Sequence, residues 1–313
     1  MTTSHLDSTP SAQIDSQTLQ VVSVSLGSAS RDHSTHSTLL GHEFSIERRG
    51  TNGDLVKARQ TIQELDGKVA AIGLGGIDLY VVAGDRRYVM RDAARLAAAA
   101  KTTPVVDGSG LKNTLERATV QRLQSEGIVD FRGKNVLLVS AVDRFGMAEE
   151  LVNVGANCVF GDFMFILGMN IPLHQLSTVR KLGGVILPVA CRLPFKWLYP
   201  TGEKQDAITS TPKHKAFYDA AEIIAGDFLL IRRFLPDRIE GKTILTNTVT
   251  SRDIELLKER GARRVITTTP EFEGRSFGTN VMEGVFAALG ARTSEEYLKL
   301  LEQLNWRPRV VDF

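Results

Sequence analysis

The chain has 313 residues, of which 42% are hydrophobic and 24% are charged, as in an ordinary folded protein. Lysine and arginine total 38 and aspartate and glutamate total 36, for a net charge of +2. With no basic stripe carrying interleaved aromatics, this balance argues against a nucleic-acid partner. No apolar run reaches the roughly 18 residues that a membrane helix needs, and no apolar leader precedes the first strand. We expect a cytoplasmic protein without a nucleic-acid or membrane partner.

Three parts follow from the composition along the chain. Residues 1–20 are rich in Ser, Thr and Gln and predict a disordered tail. Residues 21–130 predict an N-terminal α/β domain for the substrate, and residues 131–313 a Rossmann-like domain with a C-terminal helix. Cys158 and Cys191 lie in apolar runs, as buried cysteines of a reducing compartment do.

In the first half, apolar runs alternate with amphipathic segments. Strands are predicted at 21–27, 41–50, 69–76, 79–84 and 103–108, and helices at 54–67, 89–100 and 111–124. Asp32, His33, His36 and His42 form a cluster after the first strand. The two central histidines lack the i, i+4 spacing of a zinc helix. We therefore expect a solvated loop there and no metal site.

From residue 133 the alternation becomes strict. Strands are predicted at 135–140, 157–162, 184–190, 222–227, 242–247 and 264–269, and helices at 146–154, 171–183, 213–221, 228–236, 251–261 and 278–289. Ser251 is the predicted N-cap of one helix and Gly261 its C-cap. Short apolar strands between helices are typical of a parallel sheet covered on both faces. Six such strands predict a doubly wound, Rossmann-like sheet. The sequence leaves open on which of the two domains the final helix, 294–304, packs.

The first strand of this second half leads into an altered dinucleotide fingerprint. That fingerprint is G-x-G-x-x-G, followed about 20 residues later by an acid. If Gly146 is its third glycine, Ala141 and Asp143 replace the first two, and Asp162 is the acid. Asp143 would crowd and repel a pyrophosphate, whereas Arg144 offers a cation. Both a dinucleotide site and a rebuilt loop on the same scaffold remain open.

Polar clusters lie at and beyond the carboxyl ends of the last two predicted strands. Ligands in open α/β sheets bind beyond the carboxyl ends of the strands, although the same residue types also cap helices. The candidates are Thr246, Asn247, Thr268, Thr269, Arg275, Ser276, Thr279 and Asn280.

Two glycine-rich turns follow strands in the first half, GLGGID at 73–78 and GSGLKN at 108–113. Tight turns between strand and helix explain both without function. Alternatively, Asp78, Lys112 and Asn113 face the cleft between the domains, where Lys112 and an acid share proton transfer.

The segments GLGGIDLY, PVVDGSGLKNTLER, IIAGDF and TTTPEFEGRSFGTNVME resemble an uncharacterised bacterial family whose members are labelled quinate 5-dehydrogenase or shikimate-dehydrogenase-like. The resemblance covers nearly the whole chain after the tail. It implies a substrate domain before a Rossmann domain and a catalytic Lys–Asp pair at the substrate hydroxyl. Lys112 is the nearest candidate lysine, since the NVTxPxK-type pattern and the glycine-rich cofactor loop of those enzymes are absent.

We therefore predict an oxidoreductase that uses NAD or NADP on a small polar hydroxy or keto acid, quinate- or shikimate-like, and that takes an anionic substrate. The predicted catalytic residues are Lys112 and Asp78. The predicted cofactor-binding residues are Asp143, Arg144, Gly146, Asp162, Thr246, Asn247, Thr268, Thr269 and Arg275, and the predicted substrate-binding residues are Asn113, Ser276, Thr279 and Asn280.

Two alternatives remain. Asp143 favours a non-catalytic or regulatory binding protein for an anionic metabolite, and Lys112 is also compatible with a lyase or isomerase. The sequence leaves open whether the chain forms a homo-oligomer.

Overall fold

The computed structural model describes residues 18–84, 86–194, 214–269 and 278–313, together with the backbone of 271–272 and 275–276. The side chains of Arg275 and Ser276, both predicted site residues, lie outside the described residues. So does most of the predicted tail; at its end, the first strand already begins at Leu19.

The first sheet is a five-stranded α/β sheet. Its order is β2 (His33–Leu39), β3 (His42–Gly50), β1 (Leu19–Ser25), β4 (Ala71–Gly75) and β7 (Val105–Val106). All neighbours are parallel except β2 and β3, which pair as an antiparallel hairpin. The prediction of a solvated loop around His33 and His36 is therefore wrong: both residues lie in β2, whose backbone pairs with β3.

Helices and a separate hairpin complete the first half. They are α1 (Leu55–Leu65), β5 (Tyr80–Ala83), β6 (Arg86–Val89), α2 (Arg91–Ala97) and α3 (Ser109–Ser125). Asp54 begins α1 by accepting hydrogen bonds from the backbone of Val56 and Lys57, which is why the helix starts where the sequence predicts.

The second sheet has six strands in the order β15 (Arg309–Asp312), β12 (Arg264–Thr267), β11 (Thr243–Thr246), β10 (Ile223–Gly226), β8 (Asn135–Leu138) and β9 (Asn157–Phe160). Five are parallel, and β15 runs antiparallel to β12. The strands between them in the chain, β13 (Glu271–Phe272) and β14 (Arg275–Ser276), pair with each other as a short antiparallel hairpin. The remaining helices are α4 (Phe145–Asn153), α5 (Leu176–Ala190), α6 (Lys215–Ala220), α7 (Phe228–Arg233), α8 (Ser251–Glu259), α9 (Thr279–Ala288) and α10 (Ser294–Gln303). The predicted α/β fold with a Rossmann-like parallel sheet is confirmed.

One predicted strand is a helix. Residues 184–190 form the second half of α5, with Pro188 inside it. The buried positions Val179, Gly183 and Leu187 recur every four residues, whereas Val185 is 74% exposed. This is the spacing of a helix with one buried face, not of a strand buried on both faces. The sixth strand of the sheet is instead β15, at the C-terminus. A smaller correction concerns the caps of α8: its N-cap is Thr250 rather than Ser251, and its C-cap is Arg260 rather than Gly261.

The C-terminal helices pack on the first sheet. Met282 and Phe286 of α9 share a buried cluster with Val21 of β1 and Leu111 of α3, and Leu301 of α10 joins them. The chain then crosses back to the second sheet through β15. The division at residue 131 remains a prediction, but the chain beyond 278 contributes to the cores on both sides of it. Each helix in the described part of the chain is too short or too polar to span a bilayer.

Candidate active site

The candidate site lies where the carboxyl ends of the two parallel sheets meet. Asp78 follows β4, Lys112 lies in the first turn of α3 just after β7, and Asp143 follows β8. Lys112 Nζ is 2.8 Å from Asp143 Oδ1 and 3.7 Å from Asp78 Oδ2. The sequence placed Lys112 and Asp78 in one cleft, and the structure brings them together with Asp143 as a third member.

A buried aspartate that sequence reasoning missed shapes this corner. Asp107, 7% exposed, accepts hydrogen bonds from the backbone N–H of Leu79 at 2.5 Å and from Ser109 Oγ at 2.8 Å. It thereby joins the loop that carries Asp78 to the start of the helix that carries Lys112. The sequence signal that could have identified Asp107 is its position directly after a short strand and before Gly108. In the structure, the φ of Gly108 is +91°.

Mutual charge sets the protonation of the three site residues. Burial alone would lower the pKa of Lys112, but Asp143 and Asp78 raise it above its usual range. Burial opposes ionisation of Asp143 too, yet Lys112 and Arg144 hold its pKa well below the usual range. Lys112 is therefore an ammonium and Asp143 a carboxylate at neutral pH.

Asp78 behaves differently from Asp143. Burial raises the pKa of Asp78 to about 7, Lys112 opposes the rise, and the negative charge of Asp143 adds to it. A carboxyl group that titrates near neutral pH can both take and give a proton, which makes Asp78 the candidate for proton transfer in this cluster.

A buried ion-pair chain borders this cluster on the side of the second sheet. The Arg144 guanidinium pairs with Glu116 of α3, and its Nη2 lies 2.9 Å from Asp227 Oδ2 after β10. Asn247 Nδ2, after β11, donates to the same Asp227 oxygen at 3.1 Å. Arg144 is 4% and Glu116 1% exposed, so their charges satisfy each other in a medium where an unpaired charge is costly.

The loop after β8 does not fit the pyrophosphate of NAD or NADP. Asp162 Oδ1 accepts hydrogen bonds from the backbone N–H groups of Ala141 at 3.0 Å and Val142 at 2.8 Å. A bound phosphate would need these same N–H groups as donors. Gly146 makes room for α3 rather than for a ligand, since a Cβ there would lie 2.6 Å from the Asn113 carbonyl oxygen. The adjoining cavity, bordered by Lys112 and Arg144, holds about 10 Å³, room for one water.

The predicted cofactor residues at the other strand ends bind one another. Thr246 Oγ1 donates to the Gly226 carbonyl at 2.7 Å, and Thr269 Oγ1 donates to the Asn247 carbonyl at 2.6 Å. Thr248 Oγ1 is 2.8 Å from Thr269 Oγ1. These side chains lie at the carboxyl edge as predicted, where their hydrogen bonds tie neighbouring loops together.

The predicted substrate residues of α9 hold that helix on the first sheet. Asn280 Nδ2 donates to Ser23 Oγ at 2.7 Å. A Cβ on Gly108 would lie 2.5 Å from the Asn280 backbone nitrogen and 2.7 Å from Thr279 Oγ1, so only glycine permits this approach.

Unsatisfied buried polar atoms gather around the site. Such atoms are rare in folded proteins and call for water or a ligand. Within the described part of the chain, those with no hydrogen-bond partner include Asn113 Oδ1, Glu116 Oε2, Ser140 Oγ, Arg144 Nε, Asp162 Oδ2 and Thr268 Oγ1.

Two protein families match most of the chain. Residues 110–313 match the family described as Domain of unknown function (DUF8754). The chain belongs to the DUF8754 family. Residues 20–107 match a second family, Domain of unknown function (DUF8753). Among curated proteins, none matches this chain.

Solved structures with similar folds are distant. A hetero-hexameric glutamate dehydrogenase from Thermus thermophilus is 14% identical with a TM-score of 0.43, over 92% of this chain and 73% of the other. The NAD-dependent malic enzyme of Thermotoga maritima is 14% identical with a TM-score of 0.36, over 91% and 84%. A substrate-binding protein of a sugar ABC transport system from Bordetella parapertussis is 13% identical with a TM-score of 0.35, over 95% and 89%. At these scores the likeness says nothing about what this DUF8754 protein binds or does.

Proposed function

We propose that this protein is an enzyme that moves a proton on a small polar hydroxy or keto acid in the cleft between its two sheets. The observation that carries the proposal is the position of the Lys112 ammonium, 2.8 Å from Asp143 and 3.7 Å from Asp78. In general acid–base catalysis, a carboxyl group that titrates near neutral pH transfers the proton, and a fixed cation beside it stabilises the negative charge that develops.

The pKa directions assign different roles to the pair. Asp78, as a carboxylate, accepts the proton from the substrate hydroxyl or from the carbon beside its keto group. Lys112 remains charged, so it donates a hydrogen bond to the oxygen on which negative charge develops. Asp143 holds Lys112 in place and keeps the pKa of Asp78 high.

Oxidation and reduction with NAD or NADP is the narrower form of this proposal. The Rossmann-like sheet supports it, and the closed loop after β8 opposes it. Calorimetric titration with NAD and NADP at millimolar concentration separates the two forms. Heat from either cofactor favours the oxidoreductase, and its absence favours lyase or isomerase chemistry.

The proton-transfer proposal is tested without a cofactor. Pyruvate and 2-oxoglutarate are incubated with the protein in D₂O, while quinate and shikimate are assayed with NAD and NADP. We expect deuterium at the carbon beside a keto group, or turnover of a hydroxy acid. Asp78→Asn should lower the rate on the order of 100-fold or more, whereas the exposed control Asp130→Asn should not change it. No exchange and no turnover with these acids would overturn the proposal.

A second candidate is a metabolite-binding protein without turnover. The cavity of about 10 Å³ and the ion pair that engages Lys112 favour it, because both leave little free space at the reacting groups. Stabilisation of the protein by an acid in a thermal-shift screen, without exchange, turnover or a response to NAD or NADP, would support this candidate.

A further inference from the structure

Two arginines meet at the carboxyl edge of the first sheet, away from the Lys112 cluster. Arg48 lies near the end of β3, and Arg31 ends the short 3₁₀ turn Ala29–Arg31 that follows β1. Between them runs the backbone of Gly27. A Cβ on Gly27 would lie 2.8 Å from Arg31 Nη2 and 2.9 Å from Arg48 Nη2. Glycine at this position lets both guanidinium groups approach the same point.

The charge of this pair is only partly balanced. Arg48 Nη1 donates to Asp32 Oδ1 at 2.7 Å and to the Ser28 carbonyl at 3.0 Å. The Arg31 guanidinium has no hydrogen-bond or ion-pair partner among the residues that the structure describes; only the backbone of Arg31 is bonded, to Ser28 and His33. Burial lowers the pKa of Arg48, and the neighbouring charge of Arg31 lowers it further. One positive charge therefore remains without a counter-charge at this corner.

A buried hydroxyl adds a spare donor. Ser25 Oγ, in a residue that is 5% exposed, accepts from Arg48 Nη2 at 2.9 Å and from the Gly27 N–H at 3.1 Å. Its own hydrogen has no acceptor within the described ranges. The hydroxyl and both guanidinium groups thus have donors to spare around one glycine.

We propose that Arg31, Arg48 and Ser25 bind the anionic group of a small ligand, a carboxylate or a phosphate. Guanidinium groups present paired N–H donors that match the oxygens of either group. Asp32 is the one described acid paired with these arginines; its Oδ1 also accepts the Gly50 N–H at 2.6 Å, so it orients Arg48. β1 is separated from β7 by β4 alone, which puts this corner on the order of 10 Å from the Lys112 end.

The site stands independently of the proton-transfer proposal, because none of its residues belongs to the Lys112 cluster. Inorganic phosphate and acetate are titrated separately into the full chain by calorimetry. The anion that binds more tightly shows whether the site prefers a phosphate or a carboxylate. We expect millimolar binding of at least one. Arg31→Gln should weaken it on the order of tenfold or more, while Arg238→Gln, which removes an 82% exposed arginine, should leave it unchanged.

Gly27→Ala supplies a variant that keeps every charge. Its methyl group should push the two flexible guanidinium groups apart and weaken phosphate or acetate binding with little change in melting temperature. Three results would overturn the proposal: no binding of either anion by the unmodified chain, full binding by Arg31→Gln, or equal loss in Arg31→Gln and Arg238→Gln. A change in deuterium exchange alone would not bear on this site.

Discussion

Lys112 and Asp143 join the carboxyl edges of the two sheets through an ion pair of 2.8 Å between Nζ and Oδ1. Lys112 belongs to the helix that follows the first sheet, and Asp143 to the first loop of the second. Because Asp78 lies 3.7 Å from the same ammonium, one lysine forms ion pairs with carboxyl groups from both halves. The proposed chemistry depends on this arrangement.

Removing Arg144 should destabilise the fold strongly. Arg144→Met leaves the carboxylate of Glu116 buried and unpaired, and such a loss costs roughly 3–5 kcal/mol. The double variant Arg144→Met with Glu116→Leu should recover much of that loss, because no unpaired charge remains. Urea unfolding of the two variants measures both effects. Equal stability of the unmodified chain and Arg144→Met would show that the pair contributes nothing.

Gly146 should resist substitution because α3 packs against it. Gly146→Ala puts a methyl group 2.6 Å from the Asn113 carbonyl oxygen, and overpacking of this kind costs roughly 1–3 kcal/mol. The matched control is Gly184→Ala in α5, where the methyl group would meet only Tyr88 Oη at 3.8 Å. That change should stabilise the protein by roughly 0.5–1 kcal/mol through helix propensity. Thermal unfolding compares the two, and similar effects would argue against the packing account.

Glu283 should make stability depend on pH. Burial raises its pKa from 4.5 to about 7, even though Tyr297 donates a hydrogen bond to it. Between those values the folded state holds a proton that the unfolded state has released, so the stabilisation present at low pH is lost as pH rises towards 7. Glu283→Gln should remove this part of the slope. Chemical unfolding at pH 5 and 7.5 measures it, and parallel slopes in both proteins would contradict the account.

The local sequence pattern was sufficient to predict two residues of the candidate site. Asp78 and Lys112 each follow a strand and glycines, and both were predicted to face one cleft. From the sequence, Asp143 is expected to obstruct a pyrophosphate. Its role as the partner of Lys112, 31 residues away, depends on the packing of α3 against α4. Asp162 has the spacing of a ribose-binding acid, but it binds the loop amides of Ala141 and Val142 instead.

Other features required the three-dimensional structure. Glu116 is a buried acid in the middle of α3, and its partner Arg144 precedes a different helix, so no local spacing links them. The chain after residue 278 returns to the first sheet, because Met282 and Phe286 fill the core beside Val21. Residues 184–190 were predicted as a strand from hydrophobicity alone, whereas burial every fourth residue continues the helix before them.

The most direct test of the proposed site is the titration of Asp78 by carboxyl ¹³C NMR, assigned with Asp78→Asn. We predict a pKa of about 7. Asp143→Asn should lower this pKa, because the variant removes the neighbouring negative charge. Asp78 is then the only one of the two carboxylates that still pairs with the Lys112 ammonium. A pKa near the ordinary aspartate value of about 4 in the unmodified protein, unmoved by Asp143→Asn, would contradict the acid–base site proposed here.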